Sequence, residues 1–175
     1  MPIKPQKLRV TALSYRSDRG WLADGTRRYP VALGRSGRRA RKREGDGATP
    51  RGLWRLLEVF YRPDRGLRPR SGLPIRRISQ GDGWCDAPND RNYNRPVRLP
   101  YPASAEDLWR TDHLYDLVVV LDHNRRPRVR GGGSAIFLHI ARAGYRPTEG
   151  CIALSAKDLT QLIGRLRPGA QILVD

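Results

Sequence analysis

The chain has 175 residues, a length that suits one domain able to bury a sizeable core. Lysine and arginine number 34 against 17 acidic residues, giving a formal charge of +17, yet hydrophobic residues make up 38% and gather in clear runs. Wholesale disorder is thereby excluded, and no run approaches the ~18–20 apolar residues of a membrane-spanning helix.

Residues 8–13 alternate apolar and polar as a short strand does, and Asp18-Arg19-Gly20 reads as turn chemistry. Residues 29–33 read as a second strand, with Pro30 placing it at a sheet edge or a strand start. Residues 34–50 are rich in glycine and arginine and are predicted as a long loop without a regular core element. An apolar segment resumes at 53–61, read as a strand. Residues 62–102 form a second long loop loaded with Pro, Gly, Asp and Asn, of the kind that in a compact domain is functional or disordered. Its aromatics Trp84, Tyr93 and Tyr101 favour packing. Residues 104–110 are predicted as a short helix, with Ser104 and Asp107 at capping-box spacing. Residues 115–121 are the strongest strand, their Val/Leu character predicting burial on both faces. Gly131-Gly132-Gly133 breaks the chain before a second buried strand at 134–140. Ser155 opens a helix with Leu159, Leu162, Ile163 and Leu166 at helical spacing; Pro168-Gly169 ends it, and 171–174 form a closing strand. The expectation is one mainly β domain over 1–175 with a few short helices, no βαβ series and no internal repeat.

A charge of +17 attracts polyanions. The arginines, however, cluster at 35–51, 62–77 and 125–130 in Gly- and Pro-rich stretches rather than along a helix. There is no aromatic-interleaved RNA-binding pattern and no paired Cys/His zinc signature, so nucleic acid is not the expected partner. A polyanionic substrate such as cell wall is equally compatible with the charge.

Two cysteines, Cys85 and Cys151, cannot build a disulfide scaffold. Cys151 follows a turn at Pro147-Thr148-Glu149-Gly150, and His139 lies twelve residues upstream near a strand end. If that strand neighbours the residues after Cys151, imidazole and thiol meet, and a histidine beside a thiol promotes thiolate. Gly150 leaves the backbone open, so nearby amides are candidates to hold an oxyanion. Residue types alone leave the alternative open that Cys151 is a small buried hydrophobe and His139 a satisfied core residue.

Thr148, Gly150-Cys151 and a strand-borne His139 upstream resemble the signature of the YkuD-type L,D-transpeptidases. Glu44-Gly45-Asp46-Gly47-Ala48-Thr49-Pro50-Arg51-Gly52 resembles a Gly-Asp-Gly-x-Thr-Pro-x-Gly segment upstream in the same family. Both occur in family order across residues 8–175. The resemblance implies a mainly β, sandwich-like catalytic domain that transfers acyl groups between peptidoglycan stem peptides, without metal or organic cofactor. It implies Cys151 as nucleophile, His139 as base, Thr148 as a supporting residue, and the amides of Gly150 and Cys151 as oxyanion donors. Arginines would bind stem carboxylates. Substrate contacts are expected from Trp84, Tyr93, Asn94, His113, Tyr115 and Glu149.

The pattern departs from the family in three places. The His139–Cys151 interval is short, Glu149 stands where histidine is frequent and changes the charge beside the thiol, and Ala153 stands where arginine is frequent. With Gly83-Trp84-Cys85-Asp86 and Tyr93-Asn94, these suggest a small proteobacterial subgroup joining the first stem residue to the third rather than third to third. Capture of the acyl-enzyme by water, giving an L,D-carboxypeptidase, and a noncatalytic basic binder of cell wall or nucleic acid are the alternatives. Cys85 is read as an inert packed thiol, with a cleft-lining role or oxidative pairing to Cys151 as rivals. His113 and His123 each follow an aspartate without metal-ligand spacing. The implied substrate places the protein in the periplasm, although the first residues show no signal-peptide stretch. A monomer is expected.

Overall fold

A computed structural model describes residues 5–15 and 17–175; the N-terminal stretch read for an export signal lies partly outside them. The strands in chain order are β1 (Lys7–Ala12), β2 (Arg19–Asp24), β3 (Arg27–Ala32), β4 (Arg38–Arg39), β5 (Thr49–Pro50), β6 (Gly52–Tyr61) and β7 (Ile75–Arg77). They continue with β8 (Asp82–Cys85), β9 (Pro96–Arg98), β10 (Ala105–Asp107), β11 (Leu117–Leu121), β12 (Phe137–Ile140), β13 (Ile152–Leu154) and, after the helix α1 (Ala156–Ile163), β14 (Gln171–Val174). The protein is mainly β, as expected, and the layering comes from one large sheet. Its order is β11-β12-β13-β3-β2-β1-β14-β6-β7, and β11 also pairs with β6, so eight of the nine strands close into a ring. The ten-residue β6 makes this possible: one edge takes β14 and then β7, and the other takes β11.

The strongly apolar β11 and β12 are buried on both faces because each face meets a different layer. Val119, Leu121 and Leu138 point into the main core with Leu159, Leu162 and Ile163 of α1. Val118, Val120 and Phe137 point the other way, into a second cluster with Trp84, Leu108, Tyr115 and Cys151. The period of two along a strand thus assigns odd positions of β12 to the second layer. Helix α1 starts where the sequence places it: Ser155 Oγ accepts the Asp158 amide at 3.1 Å, an N-cap bond.

Two local readings are corrected. Arg19 and Gly20 belong to β2, and the turn lies before them. Residues 105–107 form β10 rather than a helix, pairing antiparallel with β8 through Glu106 and Trp84. The capping-box spacing is a local preference of a few tenths to about 1 kcal/mol, and the sheet pairing with burial of Leu108 outweighs it. The 62–102 loop packs through β7, β8 and β9, with Trp84 and Tyr93 each 1% exposed. The 34–50 loop carries the β4–β5 pairing and a single bridge from Gly34 to Thr148, and buries Ala48 and Thr49. Pro30 sits within β3 opposite Trp21; β13 reaches β3 only at Ala32, so Pro30 interrupts no ladder on that side. No helix among the described residues is long and apolar enough to cross a membrane.

Candidate active site

β12 and β13 run parallel with Leu138 opposite Ile152 and His139 opposite Ala153. Side-chain alternation then sets His139 and Cys151 on one face, the face of the second cluster, and both line a cavity of about 310 Å³. His139 is 6% exposed and Cys151 8%. The imidazole Nδ1–H donates to the Ile140 carbonyl at 2.8 Å, which leaves Nε2 as the basic nitrogen. Tyr115 packs edge-on against the ring, with centroids 5.4 Å apart. The thiol donates to the Ala135 carbonyl at 3.2 Å rather than to the imidazole.

Burial sets the resting protonation of both groups. It depresses His139 to about 4, so the imidazole is neutral. It pushes the Cys151 thiol up to about 12, helped by the negative charge of Glu106. The pair therefore rests as neutral thiol and neutral imidazole, not as an ion pair. A raised thiol pKa withholds thiolate at neutral pH and releases it as pH rises. Iodoacetamide alkylation of Cys151, taken as the difference between wild type and Cys151→Ala, is expected to be far slower than that of free cysteine at pH 7. It should climb without a plateau from pH 7 to 10; a plateau below pH 8 would show a resting thiolate–imidazolium pair instead.

Thr148 knits the turn before the cysteine. Its Oγ1 donates to the Cys151 carbonyl at 2.7 Å and accepts the Gly150 amide at 3.1 Å. Its own backbone bridges to the end of β3, with Thr148 N–H on Leu33 O at 2.9 Å and Arg35 N–H on Thr148 O at 2.8 Å. This bears on the oxyanion expectation in one respect: the Gly150 amide is engaged by Thr148 Oγ1, so of the two expected donors the Cys151 amide is the remaining candidate. Thr49, from the Gly-Asp-Gly-x-Thr-Pro-like segment, also reaches the Cys151 carbonyl, at 3.4 Å, and accepts the Gly34 amide at 2.8 Å. The two segments singled out in the sequence therefore meet at one carbonyl.

Of the six expected substrate-contacting residues, Tyr115 and Glu149 line the cavity and four do not. Trp84 is sealed in the second cluster, its Nε1–H donating to Asn94 Oδ1 at 2.9 Å. Asn94, 2% exposed, spends its amide on the His123 and Asn124 carbonyls and its oxygen on the Ala135 N–H at 3.1 Å. It thus holds the residue whose carbonyl receives the thiol. Tyr93 donates to Glu44 Oε2 at 2.5 Å and accepts the Gly133 amide at 2.9 Å, one layer behind the cavity. His113 faces outward from a single helical turn, its Nδ1 on Asp116 at 2.6 Å. Glu149 lies on the exposed rim paired with Arg35 at 2.8 Å, and the carboxylate acting on the thiol is Glu106 instead. Ala153 is 1% exposed between His139 and Ala32, a position with no room for arginine. Cys85 is fully buried and outside the cavity, and both thiols are free.

The cavity also holds Asp86, from the Gly83-Trp84-Cys85-Asp86 stretch, and residues that the sequence did not single out: Glu106, Arg110, Arg142 and Ser134. Among the described residues no His, Cys, Asp and Glu side chains gather as a metal site would require.

The family model for the L,D-transpeptidase catalytic domain (YkuD) matches residues 9–174. No curated protein matches the sequence. Among solved structures, the chain is similar to an L,D-transpeptidase from Mycobacterium smegmatis, at 16% identity and a TM-score of 0.43, covering 97% of this chain and 59% of that one. It is also similar to L,D-transpeptidase 1 of Mycobacterium tuberculosis, at 14% identity and 0.40, covering 97% and 62%. A third, an L,D-transpeptidase from Stackebrandtia nassauensis, stands at 13% and 0.41, covering 100% and 58%. The chain spans about three-fifths of the length of these structures.

Proposed function

The chain belongs to the YkuD L,D-transpeptidase family, and from that premise we propose that it forms peptidoglycan cross-links through a thioester on Cys151. The observation that carries the reading is the placement of His139 and Cys151 on one strand face, lining one cavity, inside the family-matched segment. His139 Nε2 takes the thiol proton as Cys151 Sγ attacks the carbonyl carbon of a donor stem peptide. The donor C–N bond breaks, the imidazolium returns its proton to the leaving amine, and a thioester remains. An acceptor amine then attacks, the new C–N bond forms and the C–S bond breaks. Two neutral groups hold no stored charge, so the ion pair forms as substrate enters the cavity and its carbonyl accepts the developing charge. Arg142, which lines the cavity, supplies a guanidinium group for a carboxylate of the stem.

The substrate implies a periplasmic setting. Incubating the protein with a synthetic tetrapeptide stem and glycinamide, and weighing the products, tests the reading. The expected product is the shortened stem joined to glycinamide by an amide. The shortened free acid alone would assign a carboxypeptidase, and an unchanged stem would leave a basic cell-wall binder.

A further inference from the structure

The cavity carries a distribution of charge that thioester chemistry alone does not explain. Pairing of β10 with β8 draws Glu106 over the cavity. Its Oε1 accepts the Tyr115 hydroxyl at 2.5 Å. The nearest guanidinium, Arg110, stands 3.9 Å away and spends its Nε and one terminal nitrogen on both oxygens of Asp112, at 2.7 and 2.6 Å. Beside Glu106, the Oδ1 of Asp86 is buried without a hydrogen-bond partner. Ser134, 8% exposed and lining the same cavity, has an Oγ that is likewise unpartnered.

Burial pushes the Glu106 carboxyl above the usual carboxylate range, against the pull of the Tyr115 hydroxyl and Arg110, which makes it a ready proton acceptor. Its negative form opposes thiolate formation at Cys151, so its position serves some other group. Buried polar atoms left unpaired are costly, and two of them, Asp86 Oδ1 and Ser134 Oγ, share the cavity of the Glu106 carboxyl without a partner. The chemistry that completes them is a cation with several N–H donors. A primary ammonium has three, and is small enough for a cavity already shared with the thiol. Arg142, whose charge acts on His139, gives the same cavity a group that suits a carboxylate.

We propose that Glu106, backed by Asp86 and Ser134, seats the ammonium group of the acceptor and so decides whether amine or water captures the acyl-enzyme. This rests on the acyl-transfer reading above and adds the acceptor's subsite to it. Seated as an ammonium, the acceptor gives one proton to the Glu106 carboxylate. Its nitrogen lone pair attacks the thioester carbon, the C–N bond forms and the C–S bond breaks. The departing sulfur receives the second N–H proton through His139. Amide, thiol and Glu106 acid balance ammonium, thioester and carboxylate.

The test is the partition of the acyl-enzyme in Glu106→Gln and Asp86→Asn. Glutamine keeps an oxygen for the Tyr115 hydroxyl, so the fold retains that bond. With the tetrapeptide stem as donor, the glycinamide concentration for half-maximal amide formation should rise at least tenfold in Glu106→Gln, with the free acid as main product. Asp86→Asn should move the same way by a smaller factor. Acylation of Cys151 by a carbapenem should become several-fold faster in Glu106→Gln, because the negative charge facing the thiol is gone. Opposite signs for the two half-reactions are what a merely structural residue would not give. Unchanged partition in both variants, or a parallel slowing of both half-reactions, overturns the proposal. A wild type that forms neither adduct nor product overturns the acyl-transfer reading and this one together; a wild type that forms both separates the two.

Discussion

Cys151→Ala is expected to gain no mass on incubation with a carbapenem, whereas the wild type gains one inhibitor per chain. A carbapenem is a strained cyclic amide, and ring opening by a sulfur nucleophile leaves a thioester that intact mass spectrometry reads directly. Cys85 is fully exposed to neither solvent nor cavity, being 0% accessible, so it offers no second site. His139→Ala should still acylate, but about 10²–10⁴-fold more slowly, the usual contribution of a positioned proton acceptor. The physical reason for so large a loss is the resting state. A thiol held near 12 has almost no thiolate at pH 7, so the proton must leave during attack, and His139 Nε2 is the basic nitrogen on that face. A thiol already ionised at rest would make His139→Ala nearly silent. An adduct that persists in Cys151→Ala would remove Cys151 from the chemistry.

The thiol–imidazole juxtaposition was legible in the sequence because it depends on period. Val118, Val120, Phe137 and His139 sit two apart along strands whose β-branched and aromatic content marks them as buried on both faces, whereas the parallel pairing of β12 with β13 that completes the juxtaposition is not dictated by the intervening loop. Helix α1 was legible from its cap and its leucine spacing. The acidic wall of the cavity was not. Glu106 lies in a stretch whose Ser104 and Asp107 imitate a helix start, and only pairing to the distant β8 makes it a strand and turns its side chain toward Tyr115. The resemblance makes Trp84, Tyr93 and Asn94 expected substrate contacts, although the loop aromatics by themselves favour packing. Their donors and acceptors are instead consumed by one another, by Glu44 and by the backbone of 123–135. Nothing local to the sequence distinguishes an amide that binds substrate from one that holds up the residue beneath it.

Gly150→Ala is expected to cost about 4 kcal/mol of stability, combining backbone strain with overpacking. Gly150 has φ +135, a conformation that residues with side chains rarely adopt, and a Cβ there would lie 2.8 Å from the Ala48 carbonyl oxygen. That carbonyl has no freedom to retreat. Asp46 accepts the Arg43 and Ala48 amides, each at 2.9 Å, and pairs with Lys42 at 2.5 Å, where the two side chains are only 9% and 4% exposed. Against the upward pull of burial, these contacts hold the Asp46 carboxyl below the usual carboxylate range, so the turn carries its charge at neutral pH. The 46–49 turn is therefore a fixed wall, and the strain falls on the segment that positions Cys151. Gly144→Ala provides the comparison: φ is +72 there, but nothing lies within 4 Å of the new Cβ, and only the left-handed backbone cost of about 1–2 kcal/mol applies. Urea unfolding should show a clearly larger fall in midpoint for Gly150→Ala. Carbapenem acylation under conditions where both variants remain folded should be lost only in Gly150→Ala. Equal losses of stability would mean that the contact between the turn and the glycine is not a fixed one, and that Gly150 matters through its backbone angle alone.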